Sequence, residues 1–189
     1  MKEVPTSGWV PFLFLYDLIC ELISLCCLTT RLSLPIMATI VSLNVSAGGV
    51  PKRPIPEAKV TGSGMEGDQQ AHRDVHGGPD RALCIFAIEE IEAMQAQGHP
   101  IMPGSIGENV TVRGLDWKTI EPGMRLRLGE VEVYITKYTT PCKFIRESFA
   151  DFNPLRVSQD HFPGSSRVYA RVKKSGTVRV GDQVEVLQR

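Results

Sequence analysis

Cys142 stands in the run Thr139-Thr140-Pro141-Cys142-Lys143-Phe144-Ile145, with Lys137, Lys143 and Arg146 close by in the chain. Thr140 reads as a helix N-cap and Pro141 as the first helical residue. That predicts Cys142 in the first turn of a helix running through Phe149. There the helix dipole, the free N–H groups and the neighbouring cations favour a thiolate. A thiolate in such a place serves as nucleophile, sulfur carrier or soft metal ligand. The alternative is a buried structural cysteine.

A second concentration of chemistry lies between Gly67 and Arg81. Asp68, His72, Arg73, Asp74, His76, Asp80 and Arg81 share that short segment. Gly77 and Gly78 allow a ligand close to the backbone and can form a nest of N–H groups for an anion. Arg73 and Arg81 are able to clamp a phosphate. His72 and His76 are four apart, but in a loop that spacing makes no shared metal face. The sequence has no C-x-x-C and no H-E-x-x-H, so zinc is not expected. The alternative is a solvated polar turn. Just upstream, Gly62-Ser63-Gly64-Met65-Glu66-Gly67 fits G-x-G-x-x-G. A dinucleotide site would need a helix opening at its end, and no apolar helical stripe follows. The run is read as a turn.

The elements that must position these residues begin near Met37. Thr39–Val45 alternates as a strand, residues 50–56 are a Pro-rich turn, and Lys59–Thr61 is a short strand. Ala82–Phe86 is a buried strand holding Cys84, which is read as core. Ile88–Gln97 is the clearest helix, with Ile88, Ile91 and Met94 on one side and Gly98 stopping it. Glu108–Val112 is a strand. Residues 124–128 and 131–135 flank Gly129-Glu130 as a hairpin. Val168–Val172 and Thr177–Leu187 are expected to pair around Ser175-Gly176. This spacing indicates a mainly β chain, a barrel or closed sheet with a few flanking helices.

The chain has 189 residues, 21 basic and 21 acidic. The zero balance argues against a broad nucleic-acid-binding face, and 42% hydrophobic residues argue against disorder. Residues 1–36 are unlike the rest. They carry Cys20, Cys26 and Cys27 and an apolar run from Trp9 to Leu28. A membrane span needs about 20 apolar residues, and an acidic residue at its centre costs roughly 2.5–3.5 kcal/mol. Asp17 and Glu21 fall inside this run, and no basic start or small-residue cleavage site accompanies it. Three readings stay open: an upstream extension with Met37 as the functional start, a poor membrane or signal-like anchor, or an added helix. The first is favoured, which leaves residues 37–189 as the working domain. That domain has only Cys84 and Cys142, which fits a reducing, cytoplasmic setting rather than a disulfide framework.

Several of these pieces occur in a fixed order: Gly64-Met65-Glu66-Gly67-Asp68, His76-Gly77-Gly78-Pro79-Asp80-Arg81-Ala82, Gly107-Glu108-Asn109, Pro141-Cys142, Tyr169-Ala170-Arg171-Val172 and Val180-Gly181-Asp182. The order resembles the MOSC family, named for the C-terminal domain of molybdenum-cofactor sulfurases, in its stand-alone bacterial form. The resemblance implies a closed, pyruvate-kinase-like β-barrel with flanking helices. It also implies binding of the molybdenum cofactor, a molybdopterin, with Cys142 ligating the metal or carrying sulfur. His76, Gly77, Gly78 and Arg81 are the expected pterin and phosphate contacts, with Asn109 and Arg167 beside them. Pyridoxal phosphate is not expected, because no Lys sits in a suitable context.

Two classes of function follow. One is a molybdenum enzyme that reduces N-hydroxylated compounds such as hydroxylamino purines, supplied by an external electron donor. The other is a carrier that holds cofactor or sulfur, the latter as a Cys142 persulfide received from a sulfurase, without turnover of its own. A barrel interaction domain with no cofactor is the plainest reading.

Overall fold

The computed structural model describes residues 37–69 and 77–188. The chain divides into two units, Met1–Pro35 and Ile36–Arg189, and the described residues belong to the second. The expectations placed on residues 1–36 and on His72, Arg73, Asp74 and His76 lie outside the described residues.

Eleven strands and one α-helix are present among the described residues. In chain order they are β1 (Thr39–Val45), β2 (Arg53–Ile55), β3 (Glu57–Thr61), β4 (Gly64–Met65), β5 (Leu83–Ala87), α1 (Ile88–Ala96), β6 (Val110–Arg113), β7 (Arg125–Leu128), β8 (Val131–Tyr138), β9 (Val168–Lys174), β10 (Gly176–Arg179) and β11 (Val184–Gln188). Short 3₁₀ turns cover Pro79–Arg81, Trp117–Thr119, Lys143–Ser148 and Pro154–Val157. Eight strands form one sheet in the order β11-β7-β8-β9-β5-β6-β1-β2, and β10-β3-β4 form another. All neighbours are antiparallel except β5 and β6, which run parallel. That one parallel step requires a crossover, and α1 supplies it.

The sequence pattern explains these elements. On β8, Val131, Val133 and Ile135 are buried and the intervening residues are not, the period of a half-buried strand. Gly129-Glu130 turns β7 back onto β8 as expected, with Leu128 opposite Val131. On α1, Ile88, Ile91 and Met94 are buried, and Gly98 at φ +87° ends the helix. β5 is buried at all five positions because it is covered on both faces. Phe86 meets Trp117 edge-on at 5.9 Å, and the Trp117 Nε1–H donates to the Ser166 carbonyl at 2.9 Å. Fully buried side chains such as Ile85, Phe86 and Leu126 each contribute about 1.5–3 kcal/mol.

Three expectations are corrected. The barrel does not close: the large sheet is open, with β11 and β2 as its ends. β1 meets the approach to β11 only through an isolated bridge of Thr39 with Gln183 and a few backbone bonds, such as Val184 N–H to Ala38 O at 2.7 Å. Beyond that point the edge of β1 is taken by β2, where Leu43–Val45 pair with Arg53–Ile55. The Pro-rich segment is therefore partly a strand. Pro54 is tolerated there because β2 is an edge. Finally, β9 and β10 do not pair around Ser175-Gly176. β9 lies between β8 and β5, β10 joins β3, and β11 returns to β7. Among the described residues no helix is long and apolar enough to cross a membrane.

Candidate functional site

The loop after β8 carries Thr140 and Cys142 to the wall of a cavity of about 290 Å³. Cys142 is not in the first turn of an α-helix. It has an extended backbone, φ −121° and ψ 165°, and immediately precedes the 3₁₀ turn Lys143–Ser148. The segment tightens through bonds three residues apart, such as Ile145 N–H to Cys142 O at 3.3 Å. The helix-dipole argument for its thiol therefore lapses. What remains is a half-buried thiol on a cavity wall.

The opposite walls come from β5 and β9. Cys84 and Tyr169 are paired across those strands, and both line the cavity. Cys84 is buried, as its apolar run predicts, and it is also part of the wall. Burial pushes its thiol up to about 11, with Arg167 pulling the other way. Burial, and then the neighbouring Cys84, push the Tyr169 phenol up to about 12. Both groups are therefore neutral at physiological pH.

The charged groups of the cavity are cations. Lys52, Arg81 and Arg167 line it, and none of the described lining residues is acidic. Arg167 is buried just ahead of β9. One of its terminal nitrogens donates to the Ile106 carbonyl, while its Nε is buried with no hydrogen-bond partner among the described residues. Lys52 forms a buried ion pair with Asp68. Asp68 also accepts from the Ser46 N–H and from Asn109 Nδ2, each at 2.9 Å.

Asn109 joins these parts. Its Oδ1 accepts the Cys84 N–H at 3.2 Å, and its Nδ2 also donates to the Asn44 carbonyl at 3.2 Å. Its amide thus ties β1, β5 and the Asp68 loop together at the cavity wall. Next to it Glu108 is fully buried, and burial holds its carboxyl above the usual range. The Gly104 N–H donates to its Oε1 at 2.6 Å. Gly107, at φ +91°, packs so closely that a Cβ would lie 3.0 Å from Val50. Only a glycine-bearing loop brings the 104–107 wall this near to the β1–β2 connection.

Of the expected site residues, the structure brings Cys142, Arg81, Asn109 and Arg167 to one cavity. Gly77 and Gly78 line a neighbouring groove instead, and Arg81 borders both. Lys52, Cys84 and Tyr169 were not anticipated as wall residues. Tyr169 opens the Tyr-Ala-Arg motif, which was a usable signal, and Lys52 lay in a segment read as a turn.

The profile of the MOSC domain matches residues 72–185. The chain belongs to the MOSC domain family. It is 33% identical to the Bacillus subtilis protein YflK over 144 residues, 75% of this chain and 64% of YflK. It is 34% identical to the Escherichia coli protein YiiM over 90 residues, 46% of this chain and 40% of YiiM. The chain thus spans less than two thirds of either relative. The crystal structure of YiiM from Geobacillus stearothermophilus superposes with a TM-score of 0.64 at 23% identity, covering 80% of this chain and 76% of that one. That likeness shows a shared fold. Among the described residues of this MOSC chain, no group of three or more His, Cys, Asp or Glu is placed to hold a metal ion.

Proposed function

We propose that the cavity binds the molybdenum cofactor, with Cys142 as the protein ligand to the metal, and that the protein reduces N-hydroxylated compounds. The observation that carries this reading is the donor set: one accessible thiol beside Arg81 and Arg167, with no carboxylate among the described lining residues. A molybdopterin is anionic and brings its own sulfur ligands, so one thiolate and several cations suit it. The buried Nε of Arg167, without a partner among the described residues, is the kind of donor such an anion would satisfy.

When bound, the cofactor supplies two-electron redox chemistry. The chain's own residues do the rest. Cys142 holds the metal. Arg81 and Arg167 would neutralise the anionic parts of the cofactor, the charge of Lys52 being matched by Asp68. Asn109 keeps the walls in register, and the neutral Tyr169 and Cys84 form part of the same wall. The overall reaction consumes two electrons and two protons, cleaves the N–O bond and releases water. The electrons come from an external donor.

The test is molybdenum and pterin analysis of protein from a cofactor-competent host, for wild type and Cys142→Ser. Wild type is expected to carry both, and the variant to lose molybdenum. Wild type with neither defeats the reading. A persulfide on Cys142, seen by mass without molybdenum, favours the sulfur carrier instead.

A further inference from the structure

Glu108 is fully buried and does not line the cavity, but the loop it belongs to does. Ile106, Gly107 and Asn109, its neighbours in sequence, are all wall residues. Its Oε1 accepts the Gly104 N–H at 2.6 Å and, more loosely, the Thr111 hydroxyl at 3.4 Å. Its Oε2 is buried with no hydrogen-bond partner among the described residues. An ionised carboxylate is costly in that state, and a proton removes the charge.

Arg167 leans on the same loop from just ahead of β9. One terminal nitrogen donates to the Ile106 carbonyl, and a Cβ on Gly107 would lie 3.8 Å from that nitrogen. Its Nε is a second buried atom with no partner among the described residues. Burial raises the Glu108 carboxyl, and the Gly104 N–H and the Arg167 charge oppose that rise. β6 and β1 present the uncharged Thr111 and Asn44 to this spot. Arg167 and Glu108 both act on the Cys84 thiol of β5, as do Lys52 and Asp68, whose charges match each other. The guanidinium therefore faces two claims on its charge: Glu108 inside the protein, and any anion that enters the cavity Arg167 lines.

We propose that Glu108 couples anion binding in the cavity to proton uptake: an anion seated on Arg167 enters together with a proton that settles on the Glu108 carboxylate. The proton comes from solvent, and the O–H bond is the only bond formed. The cause is competition for one cation. Arg167 offsets part of the cost of a charged Glu108. An anion beside Arg167 takes up that offset and adds a like charge, which disfavours the carboxylate. Binding and protonation then favour each other equally, as linkage requires. Raising the pH removes the proton and weakens the hold on the anion. That the natural anion belongs to the cofactor rests on the function proposed above, whereas the proton link does not.

The experiment titrates sodium sulfate into the full chain at constant ionic strength, because sulfate keeps its charge between pH 5 and pH 9. Amide shifts of Ile106, Gly107 and Asn109 at pH 6 place the ion beside Arg167, and calorimetry follows its affinity. Wild type is expected to bind about tenfold more weakly at pH 9 than at pH 5. Glu108→Gln keeps an acceptor for the Gly104 N–H but cannot ionise, so it should hold one affinity across the range. Calorimetry in two buffers of unlike ionisation enthalpy should show proton uptake with sulfate in wild type and none in the variant. Three outcomes overturn the proposal: no saturable shift at these amides, an affinity in wild type that ignores pH, or a decline that Glu108→Gln shares. If metal analysis finds no cofactor, the proposed function fails while the sulfate titration stands or falls alone.

Discussion

Cys84 and Tyr169 face each other across β5 and β9, and each lines the cavity that also holds Cys142. Their acidities are both shifted upward by burial, to about 11 and about 12. The cavity therefore contains two neutral proton donors and one half-buried thiol.

Differential alkylation should separate the two thiols. With iodoacetamide at pH 7.5, Cys142 is expected to label in the native protein while Cys84 does not. Peptide mass mapping reads the outcome. Cys84 should label only near pH 11 or after denaturation, since the thiolate is the nucleophile.

Alkaline pH should weaken the fold. The native state holds the Cys84 proton up to about 11, whereas the unfolded chain releases it near the ordinary thiol value of 9.0. Between those values the unfolded state binds fewer protons, so stability falls as pH rises, by about 1.4 kcal/mol per unit. Stability from this group is fully present below pH 9. Urea melts at pH 8, 9, 10 and 11 should show the decline, and Cys84→Ala should flatten it.

Glu108 works in the opposite part of the scale. Burial raises its carboxyl pKa, so its contribution is present at acid pH and is lost as pH rises through the folded value. Glu108→Gln removes the buried charge while keeping an acceptor for the Gly104 N–H. It is expected to match or exceed wild type in Tm at pH 8. Glu108→Ala leaves that N–H unpaired and should cost about 1–3 kcal/mol.

The Lys52–Asp68 pair should behave as a unit. Its side chains are 8% and 5% exposed. Asp68→Ala leaves a buried ammonium without its partner and should cost about 3–5 kcal/mol in urea denaturation. Lys52→Met combined with Asp68→Asn should recover part of that loss. Additive effects in this cycle would mean the two groups are not coupled.

Much of the scaffold was legible because its signals are local. Ile88, Ile91 and Met94 mark α1 by period, and Gly129-Glu130 marks the β7–β8 hairpin. The errors lie where long-range pairing decides. Nothing near Pro54 tells that β1 offers it an edge, and that edge is what leaves the sheet open. Nothing around Ser175-Gly176 tells that β10 will leave for β3. In the site, Cys142, Arg81 and Asn109 were visible as polar residues in distinctive motifs, and Arg167 was named beside them without one. Cys84 was hidden by an apolar run with both faces covered, and Lys52 by the prolines around it. The extended backbone of Cys142 was missed because Thr140-Pro141 signals an α-helix that the segment is too short to sustain.

The walls of the cavity are drawn from Lys52, Cys84, Asn109, Cys142 and Tyr169, which are strung along most of the described chain. A ribosome releases them in that order, and β9, which carries Tyr169, is inserted between β8 and β5, both made earlier. The pocket is thus among the last features to exist as the chain emerges. Anything that binds there meets the full set of wall residues only once β9 has been made and seated between β8 and β5.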